Sequence, residues 1–484
     1  MNTLRRQYNY IDGGWADART DSTYTVVNPA TAEPVTVIPQ TPPDEVDRAV
    51  RAAAAAWRSW RFTNPFYRAE ILHEIGNRIA AAVDTIATEI TVEMGKPLDE
   101  ARGEVRKVAK AFHYYAEETT RTFGTVVPNE ENGFISLVQR EPVGVVAAIT
   151  PWNYPVELIG WKLAAALGAG CTIVLKPSEY SPSSAVELFR CLDEVGLPAG
   201  VANLVLGAAS TGQALVSHPL INKIAFTGSA ETGAAITKSS QGVVPLSMEL
   251  GGSCPLIVTA HADLDAAVAG TVRRSFRNAG QICIAINRAY VHEDLYEEFL
   301  ERLGERTAAL VVNDGLKQPD ADMGPVANRE ILERCTRHVA DALARGARLV
   351  TGGGPREDLA PGYFFAPTVL ADTTQEMLVM HEETFGPVLG VAPYRDLADA
   401  IAAANSTPAG LAAYVYSNDL AETFRLAREL DFGNVGVNNV DAGIMNAPYG
   451  GRKGSGYGYE HGREGLEGYL HLKHLRIRHG STAE

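Results

Sequence analysis

The amino-acid sequence predicts an α/β protein made of two doubly wound halves, each with a mostly parallel sheet. Three observations carry this reading. From Val143 onward, short apolar runs alternate with helical stretches, the pattern of strands covered by helices on both faces. The alternation occurs twice, and the two series meet near Gly251-Gly252. The composition, 46% hydrophobic and 21% charged over 484 residues, suits a chain with a large buried core. At ~150 residues per domain the chain holds about three domains.

The elements follow in order. After a strand-like opening, Asp44 to Trp60 carries Val46, Val50, Ala53, Ala54 and Trp57 at helical spacing. Ile71, Leu72, Ile75, Ile79, Val83, Ile86 and Ile90 continue it until Gly95 and Pro97. The first α/β series then runs VGVVAAI (strand), VELIGWKLAAAL (helix), CTIVL (strand), SSAVELFRCLDEVG (helix) and VANLVLG (strand). A short helix, NKIAFTG, another helix and VVPLSMEL complete it. The second series begins with CPLIV and a helix over DLDAAVAGTVRRSFRNAG that ends at Ala279-Gly280. It continues past GLAAYVYS, a helix from Leu420 to Leu430, and NVGVNN. TGGGP at 351–355 and YGGRKGSGYGYEHG at 449–462 read as loops. Tyr469 to His479 alternates as a lone terminal strand, with Leu470, Leu472, Leu475 and Ile477 among basic residues. Its open edge fits either a sheet of a neighbouring subunit or the chain's own domain.

Charge and apolar content exclude some functions. A net charge of −15 argues against nucleic acid or an anionic membrane as partner. The longest uncharged apolar stretch, Leu163 to Leu175, has 13 residues. A spanning helix needs ~18, and MNTLRRQYNYIDGG lacks an apolar signal core, so a soluble, unexported protein is expected. Five cysteines cannot all pair, and none forms a CxxC or a metal-spaced cluster with histidine. Reduced thiols in a cytoplasm, and no metal, are the expectation.

A few residues stand where chemistry is plausible. Cys283 follows an amphipathic helix, a place that holds either an inert buried thiol or a nucleophile in a cleft. Glu249 ends an apolar strand before two glycines, where partial burial raises a carboxylate's pKa toward general-base use. The alternative is a satisfied strand-end glutamate. Asn153 lies in the turn after VGVVAAI, where an α/β sheet usually meets its ligand, and is otherwise an ordinary turn residue. Ala225 to Gly233 reads as a strand feeding a helix through GxxxxG, which suits a pyrophosphate at a helix N-terminus but is neither GxGxxG nor a Walker loop. Lys176 and Glu179 end CTIVL, either as a solvated charge pair or as partners of an adenosine ribose.

Taken together, PWNYP at 151–155, LKPSE at 175–179, FTGSAETG at 226–233, MELGG at 248–252, FRNAGQIC at 276–283, EETFGPV at 382–388 and PYGGRKGSGYG at 448–458 resemble the aldehyde dehydrogenase superfamily. Seven motifs in one order cover nearly the whole chain. The resemblance implies a Rossmann-like cofactor domain (1–119 with 143–251), a catalytic domain (252–454), and a small β oligomerisation element with the C-terminal tail (120–142 and 455–484). It implies Cys283 as nucleophile, Glu249 as general base, and Asn153 with the Cys283 backbone N–H as oxyanion donors. Lys176 and Glu179 are then the adenosine-ribose partners, Ser229 holds the pyrophosphate, and Glu383 with Phe385 holds the nicotinamide ribose and ring. Thr150, Trp152, Ser178, Gly212, Phe226, Gly228 and Leu250 complete the implied cofactor contacts.

The implied reaction is NAD(P)⁺-dependent oxidation of an aldehyde to a carboxylic acid through a hemithioacetal and a thioester. Glu249 counts against a CoA-acylating enzyme, and the intact set counts against an inactive binding protein. NAD⁺ is expected to be preferred, since Glu179 repels a 2′-phosphate, and NADP⁺ use remains open because Lys176 offsets that repulsion. Ser253 and Tyr459-Glu460 depart from frequent family residues, lysine and Arg-Glu, which bears on the branch and not on the chemistry. For the substrate, Tyr154, Leu158, Trp161 and Tyr449 form an aromatic funnel that favours an apolar or aromatic aldehyde first. A carboxylated semialdehyde comes second: Arg277 and the tail EGLEGYLHLKHL resemble the succinic-semialdehyde branch, but Trp161 stands where that branch has another arginine. An amino-aldehyde is third. A homo-oligomer is expected, a tetramer before a dimer.

Overall fold

The computed structural model describes residues 4–479. An eight-stranded sheet has the order Gly456–Tyr457, Leu246–Leu250, Lys223–Gly228, Val145–Ile149, Thr172–Lys176, Ala202–Leu204, Asn9–Ile11 and Gly14–Ala16. The five strands from Leu246–Leu250 to Ala202–Leu204 run parallel. The chain enters at Val145–Ile149, steps outward to Ala202–Leu204, and returns on the other side at Lys223–Gly228. That reversal opens a crevice at the carboxyl ends of Val145–Ile149 and Lys223–Gly228, where open α/β sheets take their ligands.

A seven-stranded sheet follows, ordered Arg348–Thr351, Thr368–Ala371, Val388–Tyr394, Ile286–His292, Cys254–Val258, Ala412–Tyr416 and Asn434–Val437. All its pairings are parallel except that of Arg348–Thr351. Central strands such as Val145–Ile149 and Cys254–Val258 are buried at every position, so they read as unbroken apolar runs.

The helix Glu157–Ala169 is buried on all sides, between the first sheet and the helix Leu98–Thr119. Close approach to that helix demands small residues. A Cβ on Gly160 would lie 2.6 Å from Val108 Cγ1, and one on Gly168 2.3 Å from Thr119 Oγ1. This explains why a long uncharged stretch starts here without being a membrane span.

One alternative left open by the sequence is met, and two expectations need correction. Leu470–Arg478 pairs within its own chain, antiparallel with Phe134–Pro142 over nine residues. With Thr125–Val127 these form a three-stranded sheet, and the other edge of the terminal strand carries no partner among the described residues. The 449–462 segment is not all loop, since Gly456–Tyr457 adds to the edge of the first sheet beside Met248 and Glu249. The helix expected to end at Ala279-Gly280 ends at Phe276. Asn278, Ala279 and Gly280 adopt left-handed φ values of 51°, 54° and 69°. No described helix is long and apolar enough to cross a membrane, and no described group of three or more His, Cys, Asp or Glu has metal-holding geometry.

Candidate active site

The left-handed turn brings Cys283 to the junction of two cavities. A Cβ on Gly280 would sit 2.3 Å from Gly386 O, so only glycine permits the turn against that loop. The inner cavity, about 210 Å³, is lined by Trp152, Gly228, Ser229, Leu250, Glu383 and Phe385, among others. The outer one, about 100 Å³, is lined by Tyr154, Arg277 and other residues. Both are lined by Cys283, Asn153, Leu158, Trp161 and Tyr449, and the inner one also by Glu249. Sequence-distant candidates thus meet around one thiol.

Cys283 Sγ lies 3.5 Å from the Tyr449 hydroxyl. Burial pushes the thiol up to about 12; the Tyr449 hydrogen bond works against this, and the Glu249 and Glu383 charges add to it. The buried site thus leaves the free thiol far less ionised than an ordinary cysteine. The other four cysteines are buried and free.

Glu249 occupies the end of its strand, and neither carboxylate oxygen has a hydrogen-bond partner. Burial raises its pKa well above the usual carboxylate range, Glu460 raises it further, and Lys162 opposes both. Such a group takes up a proton readily, as a general base must. Asn153 is 3% exposed, and its Nδ2 donates to Gln281 O at 3.0 Å. One of its two N–H bonds is thereby fixed to the Cys283 loop.

Around the inner cavity, Glu383 Oε1 accepts from Gly252 N at 3.0 Å, and burial pushes that carboxyl up to about 7. Trp152 and Phe385 stack edge to face at 5.5 Å. Ser229 caps the helix Ala230–Ser239 and receives Thr232 N at 3.2 Å. Gly228 lies against the Phe226 ring, where a Cβ would come within 2.4 Å. Six residues taken from the resemblance, Thr150, Lys176, Ser178, Glu179, Gly212 and Phe226, do not line this cavity. Most of them sit near the same carboxyl edge of the sheet. Lys176 Nζ donates to Gly207 O at 2.7 Å and stands 3.5 Å from Glu179. Burial lowers the Lys176 pKa and Glu179 raises it. The donor set fits a dinucleotide: a bare glycine beside a helix N-terminus for phosphate, and carboxylates at two places for ribose hydroxyls.

Several functional groups escaped the sequence reading. Lys162 Nζ donates to Thr227 Oγ1 at 2.6 Å and forms a buried ion pair with Glu460, next to Glu249. A lysine amid the apolar residues of the helix interior was a usable signal. Near the outer cavity, Arg277 is paired with Glu100 at 2.9 Å. Arg273 and Arg274 both contact Asp441 at 2.6 Å. Lys107 lies 3.4 Å from Glu157, whose carboxyl burial pushes up.

Comparison with known proteins agrees with this geometry. The sequence profile of the aldehyde dehydrogenase family matches residues 15–475. The chain is 41% identical over 478 residues, 98% of each protein, to the succinate-semialdehyde dehydrogenase [NADP(+)] GabD of Escherichia coli. It is 40% identical over 474 residues, again 98% of each, to a glutarate-semialdehyde dehydrogenase of Pseudomonas aeruginosa. A crystal structure of an E. coli NADP dependent enzyme superposes with a TM-score of 0.96 at 40% identity, covering 99% of this chain and 100% of that one. With its two parallel sheets and a cysteine between two cavities, the chain belongs to the aldehyde dehydrogenase family.

Proposed function

We propose that this enzyme oxidises an aldehyde bearing an acidic group, a semialdehyde of a dicarboxylic acid, with NAD(P)⁺. The observation that carries the reading is the position of Cys283 between a cavity suited to a dinucleotide and one bordered by arginines. Arg274, which lines the outer cavity, shares the carboxylate of Asp441 with Arg273. Lys107, paired with Glu157 at 3.4 Å, also lines that cavity. The relatives named for succinate and glutarate semialdehyde support this choice over the apolar aldehyde that the aromatic funnel favours.

The Cys283 thiol loses its proton to water, the thiolate attacks the aldehyde carbon, and the Asn153 amide with the Cys283 backbone N–H takes the developing oxyanion. A bound nicotinamide supplies the hydride acceptor. Cys283 then carries the acyl group as a thioester. Glu249 removes a proton from water, the hydroxide adds to the thioester carbon, and the carbon–sulfur bond breaks to release the carboxylate. Lys162 and Glu460 tune the Glu249 carboxyl.

For the cofactor, we hold to NAD⁺ over NADP⁺ on the charge of Glu179, although two of the relatives are named for NADP. We assign 1–119 with 143–251 to the cofactor domain, 252–454 to the catalytic domain, and 120–142 with 455–484 to the assembly element and tail, save that Gly456–Tyr457 joins the first sheet; 1–3 and 480–484 lie outside the described residues. Exposed Val126, Ile135, Leu472 and Ile477 on the three-stranded sheet support homo-oligomer formation there, as a tetramer before a dimer. Five free cysteines support a reducing cytoplasm.

The test of substrate class is kcat/KM for succinate semialdehyde and glutarate semialdehyde against an uncharged alkyl aldehyde, benzaldehyde and an amino-aldehyde. A hydrogen bond to a charged group contributes ~1.5–3 kcal/mol, so the semialdehydes are expected to lead by about 10–100-fold. A lead by an uncharged or cationic aldehyde refutes the reading.

A further inference from the structure

The helix Leu98–Thr119 carries two carboxylates one turn apart, Glu100 and Glu104, on the face turned toward the site. The Glu104 and Lys96 side chains are both 0% exposed and form an ion pair. Lys96 Nζ also donates to the Asn153 backbone carbonyl at 3.0 Å and lies 3.6 Å from the centre of the Tyr154 ring. Glu104 Oε1 accepts the backbone N–H groups of Val156 at 3.0 Å and Glu157 at 3.1 Å. One buried ion pair therefore grips the main chain on both sides of the Asn153-Tyr154-Pro155 turn.

The Cys283 loop is tied to the same point. Asn278 Nδ2 donates to the Asn153 carbonyl at 3.0 Å, and Glu100 accepts Asn278 N at 3.2 Å. Desolvating a lysine and a glutamate costs more than an apolar pair of similar volume would, so stability alone is a poor reason for this arrangement. Its hydrogen bonds end on the one turn whose side chain must meet a developing oxyanion in a fixed place.

We infer that Lys96 and Glu104 are positioning residues that hold Asn153 in register with the Cys283 loop for oxyanion stabilisation. The inference rests on Asn153 being the oxyanion donor. Preorganised donors act through placement, and a misplacement of about 1 Å costs on the order of 10²-fold in rate. Neither side chain lines either cavity, so the loss of the pair is expected to fall on kcat more than on KM.

The test is a kinetic cycle on the full-length enzyme, using Lys96→Met/Glu104→Gln, Asn153→Ala and the triple variant, with thermal unfolding followed alongside. Asn153→Ala is expected to lower kcat by about 10²–10³-fold. The double variant is expected to lower kcat about tenfold or more, with both KM values within about twofold, and the triple variant to match Asn153→Ala alone. If the double variant does not fold, Glu104→Gln alone, which keeps the shape and the acceptor oxygen, enters the same cycle with the same non-additivity expected. Unchanged kcat in Asn153→Ala overturns the oxyanion reading and the inference with it. An impaired Asn153→Ala beside a brace variant of normal kcat, or losses that multiply in the combined variant, overturns the positioning role alone.

Discussion

Replacing Tyr449 by phenylalanine removes the one side-chain hydrogen bond that favours the Cys283 thiolate. Burial pushes this thiol up to about 12, and the Tyr449 hydroxyl at 3.5 Å opposes the rise. With that value the thiolate is on the order of 10⁻⁵ of the free enzyme at pH 7, against a few per cent for an unperturbed thiol of pKa ~8.5. A hydrogen bond to an ionised group contributes ~1.5–3 kcal/mol, and one pKa unit corresponds to about 1.4 kcal/mol. Tyr449→Phe should therefore raise the thiol pKa by about one unit or more, while the ring keeps its contacts with Trp161 and His461. The assay is the rate of inactivation by iodoacetamide between pH 6.5 and 9.5, without substrate or cofactor. The unaltered enzyme should react about tenfold faster per pH unit with no plateau, and Tyr449→Phe about tenfold slower at each pH. A plateau below pH 9, or equal rates for the two proteins, refutes the reasoning.

Glu179→Gln removes the carboxylate beside Lys176 and should shift the ratio of kcat/KM values toward NADP⁺ by about tenfold; an unchanged ratio removes Glu179 from cofactor selection. Glu249 works only when ionised, and its folded-state pKa is raised, so thioester hydrolysis should be lost as pH falls through that raised value and gained as pH rises. Single-turnover hydrolysis measured across pH checks this, and a rate independent of pH contradicts it. A chain ending at Gly468 lacks the strand that pairs with Phe134–Pro142, and light scattering should show the full chain as an oligomer and the shortened one as a smaller species. A full-length monomer would sink that expectation.

The sequence carried the sheets well because their central strands are buried on both faces and so read as plain apolar runs. Cys283, Glu249 and Asn153 stood out as candidates at or near strand and helix ends, each with an inert alternative, and only the family resemblance gave them roles. What stayed hidden is non-local or conformational. The amphipathic pattern runs through Phe276 to Gly280, so nothing in it announces the left-handed Asn278 and Ala279. Lys162 and Glu460 are 298 residues apart, and the partner of Leu470–Arg478 lies more than 300 residues earlier. The carboxylate that pairs with Arg277, Glu100, sits on a helix 177 residues away.

The central claim is that Cys283 carries the acyl group and Glu249 releases it. Glu249→Gln, mixed with excess semialdehyde and cofactor, should give one burst of reduced cofactor per active site and then near silence. Intact-protein and peptide mass spectrometry of the quenched reaction should find one acyl group on the Cys283 peptide, and none in Cys283→Ala. Steady turnover by Glu249→Gln without a burst, or product formation by Cys283→Ala, would contradict the account.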